Sequence, residues 1–126
     1  MAIKIAVVNE SKNNETRVAV VPEIAQKLSS NNVTFSIEKN SGAASGFLDS
    51  DYPENGCSFF DAASEAVKDA DVLFKVNPPT SEEIDYMKKG ALAVSYMSPF
   101  QSGELIKNMA SSGIDAFSVE LIPRIS

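Results

Sequence analysis

The stretch "ADVLFKVNPPTSEEIDYMKKGALAVSYM" (residues 70–97) decides the fold. It opens on an apolar run, DVLFKV (71–76), that halts at Pro78 and Pro79, because proline offers no N–H to a sheet ladder. It closes on a second run, LAVSYM (92–97). Near-continuous apolar runs of this length fit strands buried on both faces. Between them, TSEEIDYMKK (80–89) carries helical signals: Thr80 and Glu83 have the spacing of a capping box, and Gly90 follows the last helical position. Two buried strands joined by one helix describe a parallel crossover, because the helix must cover a sheet face and return the chain to the same end.

The same alternation extends in both directions. Strands are predicted at 3–8, 33–38, 57–60 and 114–120, and helices at 22–30, starting on Pro22, and at 61–70, with Asp61 as a cap. A last helix, 102–112, sets Leu105, Ile106 and Met109 on one face and stops at Gly113. The expected fold class is α/β: an open, mostly parallel sheet with crossover helices, in a Rossmann-like or flavodoxin-like three-layer arrangement. The polar loops 9–16 and 39–46 are the expected flexible parts.

At 126 residues, 44% hydrophobic and 22% charged, the chain is sized for one domain with a real core. Seventeen acidic against eleven basic residues give a net charge of −6, and no Lys/Arg cluster offsets it, so a nucleic-acid surface is excluded. The single Cys57 has no internal disulfide partner, and the absence of histidine removes both a thiolate–imidazole pair and the usual zinc sets. A reducing compartment fits this usage. The N-terminal apolar stretch is too short for a signal-peptide core, and no run approaches the roughly 20 residues of a membrane span. After the last strand, Leu121, Ile122 and Ile125 in LIPRIS have no following helix beneath which to pack. Residues 1–126 are therefore expected to be a single domain cut from something longer.

In open parallel sheets ligands gather at the carboxyl ends of strands, and Lys75 falls at such an end. It is a candidate for holding a carboxylate or polarising a carbonyl; the alternative is a snorkelling or paired surface lysine. Arg17, between a polar loop and an apolar run, is a second candidate, since a guanidinium fork suits a carboxylate; the alternative is a local pair with Glu15 or Glu10. SGAASGF (41–47) lacks the glycine spacing of a phosphate loop and reads as a turn. Glu10, Asp49, Asp51 and Glu120 share no face fixed by their spacing and default to solvated or capping roles. SYMSPFQ (95–101) brings Ser95, Tyr96, Ser98 and Gln101 to the same sheet end as possible polar lining, with a Ser/His pair excluded.

Taken in order and spacing, "KIAVVNESKNNETRVAVVPE", "SIEKNSGAASGF", "ADVLFKVNPP", "AVSYMSPFQ" and "SVELIPRIS" resemble the N-terminal domain shared by alanine dehydrogenases and the alpha subunit of proton-translocating nicotinamide nucleotide transhydrogenase. ETRVA and LFKVNPP carry the superfamily resemblance, and LIPRIS points to the transhydrogenase branch. In alanine dehydrogenases, the resemblance implies, residues matching Arg17 and Lys75 bind the keto acid, and a catalytic histidine stands at about the position of Ser98. This chain has no histidine, which weakens that reading. The transhydrogenase resemblance implies a domain on the NAD(H) side of hydride transfer to or from NADP(H), coupled to proton movement. It implies as partners the rest of an alpha subunit and a beta subunit, in a homo-oligomeric membrane complex, and a place on the cytoplasmic side of the inner or plasma membrane. The segment itself is expected to be inactive alone, with nucleotide contacts mainly beyond Ser126 and with Arg17, Lys75, Ser98 and Gln101 on the cleft side. Two departures from the family pattern are the glycine-containing loop NSGAASGF and Cys57, where a small residue such as alanine is expected.

Overall fold

Strand–helix alternation demands parallel pairing, and the computed structural model, which describes residues 3–13, 15–29, 31–95 and 102–118, shows only parallel pairs. Six strands lie among the described residues: β1 (Ile3–Val7), β2 (Val33–Glu38), β3 (Cys57–Phe60), β4 (Val72–Phe74), β5 (Leu92–Ser95) and β6 (Asp115–Ser118). They form one sheet in the order β3-β2-β1-β4-β5-β6. The chain thus winds outward from β1 to β3, crosses back, and winds outward again from β4. β1 and β4 are neighbours, with Val7 opposite Phe74, and the direction of winding reverses between them.

The side-chain period of two divides the core into two layers. Ala6 and Val8 of the β1 segment face one way, with Leu73 and Ala93, under α2 (Ala63–Val67), α3 (Ser81–Tyr86) and α4 (Ser102–Ser111). Val7 faces the other way with Phe35 and Ile37, beneath α1 (Pro22–Ser29) and Tyr52. Phe35, Ile37, Leu73 and Ile84 are among the largest side chains fully shielded from water. Each such burial contributes about 1.5–3 kcal/mol relative to exposure. Tyr52 anchors the long β2–β3 connection by donating its hydroxyl to the Val20 carbonyl at 2.7 Å, and its ring meets Phe59 edge-on.

β2 and β3 keep the expected bounds, while several other elements are shorter than the sequence patterns. β4 ends at Phe74 instead of 76, and α2 and α3 cover only the middles of 61–70 and 80–89. Apolar content continues past each element because the flanking turns also bury Val76, Ala70 and Met87. The N-cap of α2 is Ala62, with no side-chain cap; Asp61 instead meets Lys39 across the sheet edge at 2.8 Å. Thr80 does cap α3: its hydroxyl accepts from the Glu83 N–H at 3.2 Å, and the Glu83 carboxylate accepts from the Thr80 N–H at 2.8 Å. The two polar loops contain single turns of 3-10 helix, Glu10–Asn13 and Ala43–Ser45, so 41–47 is a turn as read. Positions 96–97 of the fifth expected strand, and 119–120 of the sixth, lie outside the described residues.

Candidate functional site at the carboxyl edge of the sheet

Past Phe74, β4 parts from β1, and the N–H groups of Val76 and Asn77 have no ladder partner. The two prolines that follow cannot extend the strand. Glu10, from the turn after β1, fills the gap: its Oε2 accepts from Val76 N at 2.8 Å and its Oε1 from Asn77 N at 2.9 Å. A carboxylate so buried, with only 3% of its side chain exposed, needs donors of this kind to offset its loss of water. Glu10 is thus the clasp that closes the sheet where the winding reverses.

Lys75 leaves the same strand end towards α3 and is buried, also with 3% of its side chain exposed, which removes the snorkelling reading. Its Nζ donates to Glu83 Oε1 at 2.6 Å and to the Pro78 carbonyl at 3.4 Å, and lies 4.0 Å from Glu10 Oε1. Glu83 Oε1 is therefore shared between the α3 cap and the ammonium. Burial of an ammonium is offset only by partners of this kind.

Arg17 lies on the loop side of the clasp, with an exposed side chain whose Nε and Nη2 donate to the two oxygens of Glu15 at 2.9 and 3.2 Å. This is the local pair that the sequence offered as its alternative. The guanidinium and two further donors, the Arg17 N–H and the Asn77 side chain, hold the Glu15 carboxyl well below its ordinary 4.5, at about 2. Asn77 Nδ2 reaches both Glu15 Oε1, at 2.9 Å, and Glu10 Oε1, at 3.3 Å. Glu83, Lys75, Glu10, Asn77, Glu15 and Arg17 consequently form one polar chain across the point where the winding reverses. The structure brings Lys75 and Arg17 into a single network, bridged by carboxylates. Ser98 and Gln101 lie outside the described residues.

Two contributors, Glu38 and Asn77, were not singled out in the sequence, and a third, Glu83, was given another role. Glu38 closes β2 at the same edge, is buried, and accepts from Asn9 N at 2.8 Å; its place at a strand's carboxyl end is the signal that flagged Lys75. Asn77 carries no sequence signal of its own, and Glu83 read only as a cap. Ser95, at the end of β5, is buried with no hydrogen-bond partner for its hydroxyl among the described residues. Asp49 and Asp51 instead take turn roles, accepting from Asn40 N and Leu48 N. Beside the network a cleft of about 480 Å³ opens between the edge and helices α2 and α3, lined among others by Asn9, Glu38, Asp61, Thr80, Glu83 and Tyr86. Among the described lining residues the charged ones are acidic: Glu38, Asp61, Glu82 and Glu83.

A parallel sheet in this order, with helices on both faces and buried polar groups where the winding reverses, defines a Rossmann-like α/β domain of the kind that places ligands at the carboxyl edge. Residues 6–126 match the family model described as alanine dehydrogenase/PNT, N-terminal domain, and the chain belongs to that family. It is 34% identical to an NAD(P) transhydrogenase subunit alpha chain of Rickettsia prowazekii, over 98% of its length and 33% of that protein's. It is also 34% identical to alanine dehydrogenase 1 of Staphylococcus aureus, over 94% of its length and 31% of that protein's. Among solved structures, a transhydrogenase from Sinorhizobium meliloti superimposes with a TM-score of 0.86 at 33% identity, covering 98% of this chain and 36% of that one. An L-alanine dehydrogenase does so with a TM-score of 0.82 at 30% identity, covering 92% and 32%. The chain spans about a third of the length of these relatives. No helix among the described residues is long and apolar enough to cross a membrane.

Proposed function

We propose that the chain is the N-terminal segment of a transhydrogenase alpha subunit, contributing one wall of the NAD(H) cleft in hydride transfer between NAD(H) and NADP(H) coupled to proton translocation. The observation that carries this reading over alanine dehydrogenation is the chain's complete lack of histidine, within a match to both kinds of relative. The acidic lining of the cleft supports placing the nucleotide's phosphates on another segment. The chain supplies fold and cleft, the nucleotide-binding half follows it, and the beta subunit is the hydride partner in an oligomeric membrane complex. On this reading the soluble portion faces the cytoplasm. The same reading makes Lys75, Arg17, Ser98 and Gln101 the candidate cleft-side residues, Lys75 reaching the cleft wall through its bond to Glu83.

Two measurements test it. Calorimetric titration of residues 1–126 with NADH should give no stoichiometric tight binding, and NADH mixed with NADP⁺ should show no hydride transfer in the presence of this segment alone. The complete complex should reduce NADP⁺ at the expense of NADH, and Lys75→Ala should slow that transfer. Alanine-dependent NAD⁺ reduction by the complete protein would overturn the assignment in favour of the dehydrogenase branch. Unchanged transfer in Lys75→Ala would remove Lys75 from the cleft's working residues.

A further inference from the structure

At the α3 end of the network one carboxylate oxygen serves both a helix cap and a buried ammonium. Glu83 Oε1 accepts from Thr80 N at 2.8 Å and from Lys75 Nζ at 2.6 Å. The first bond fixes the carboxylate to the start of α3, and the second fixes a buried ammonium to that carboxylate. The other acidic neighbour, Glu10 Oε1, is 4.0 Å from the ammonium and already accepts from Asn77 N and Asn77 Nδ2. Lys75 therefore has two carboxylates within reach but one hydrogen-bonded to it, and Glu10 is left to hold the β4 end.

We propose that Glu83 is a positioning residue for Lys75: it aims the ammonium from the α3 cap and so keeps it from competing with Asn77 for Glu10. The inference rests on the reading of Lys75 as a cleft residue for its functional meaning, but not for its geometry. Without the Glu83 charge, the nearest remaining anion for a buried ammonium is Glu10. Movement there sets Lys75 against the Asn77 side chain, which also holds Glu15 at 2.9 Å and, through Glu15, Arg17. One carboxylate on a helix cap thus keeps the two candidate cations at opposite ends of the network.

The test uses two variants that separate the two bonds. Glu83→Gln keeps an acceptor oxygen for the Thr80 N–H while removing the charge. Thr80→Ala removes the threonine hydroxyl from the cap while leaving the carboxylate facing Lys75. Nitrogen-15 NMR of the chain would follow the Lys75 ammonium and the Asn77 side-chain amide. In Glu83→Gln, hydrogen exchange of the ammonium should accelerate by about tenfold, the scale of losing one charge-assisted bond, and the Asn77 amide signal should shift. Thr80→Ala should change neither. An unchanged ammonium in Glu83→Gln, or equal changes in both variants, would overturn the proposal. If the ammonium is released in Glu83→Gln but Lys75→Ala leaves hydride transfer intact in the complete complex, the positioning stands and the cleft role of Lys75 falls.

Discussion

Glu10→Ala is the most informative single perturbation of this domain. It removes the acceptor for two backbone N–H groups, Val76 at 2.8 Å and Asn77 at 2.9 Å, at a site where no neighbouring strand offers a replacement. A buried donor left unmade costs about 1–3 kcal/mol, so the pair costs about 2–6 kcal/mol, with some relief where water enters the space vacated by the side chain. The loss of a carboxylate 4.0 Å from Lys75 adds to this, although Glu83 still holds the ammonium. A net value of about 3–4 kcal/mol is a large share of the roughly 5–15 kcal/mol that stabilises an ordinary domain. It corresponds to a melting point lower by about 10–15 °C in a chain of this length. Urea unfolding followed by far-UV circular dichroism would measure it, with an unchanged m-value showing that the native and unfolded states stay comparable. Glu10→Gln, which keeps one acceptor oxygen, should lose about half as much. A Glu10→Ala protein within about 1 kcal/mol of the parent would show that the carboxylate is not the clasp between β1 and β4.

Three further outcomes follow from the same geometry. The Glu15 carboxyl is held down to about 2 chiefly by Arg17, so its stabilising contribution is present above its ordinary 4.5 and is lost as pH falls towards 2; carbon-13 titration of Arg17→Ala should find the Glu15 midpoint moved back towards 4.5. Burial pushes the Tyr52 phenol up to about 12, so the folded state holds a proton that the unfolded chain releases near 10, and stability should fall as pH rises from 10 through 12. Tyr52→Phe should abolish that alkaline component while costing about 1 kcal/mol at neutral pH for the lost bond to the Val20 carbonyl. Gly56→Ala should destabilise by about 2 kcal/mol or more in thermal unfolding, because the position has φ of +92° and an added Cβ would sit 2.7 Å from Ser29 Cβ.

Much of the fold was legible because its signals are local. The apolar runs at 71–76 and 92–97, the Thr80–Glu83 box and the turn at Gly90 each depend on residues close in sequence, and together they dictate a parallel crossover. Every strand expected from the sequence has a counterpart in the sheet, and the four helices fall where the periodicity placed them. Boundaries were less legible, because burial continues into turns: Val76 and Met87 are shielded although neither lies in a regular element. The family strings too needed no coordinates, and the family match bears them out.

The candidate site divides differently. The sequence alone placed Lys75 at a strand's carboxyl end and gave Arg17 an acidic neighbour two residues away. It could not assign Lys75 a partner, since Glu83 stands eight residues on and Glu10 sixty-five residues back. Nor could it give Asn77 any role, because an asparagine becomes a bridge only when two carboxylates from another loop are brought to it. The strand order decided this. Placing β4 beside β1 brought the clasp residue and its two orphan N–H groups together, and carried Asn77 to the Glu15–Arg17 pair. Local hydrogen bonds and side-chain periodicity are written residue by residue, whereas the partners of a buried charge depend on which distant strands become neighbours.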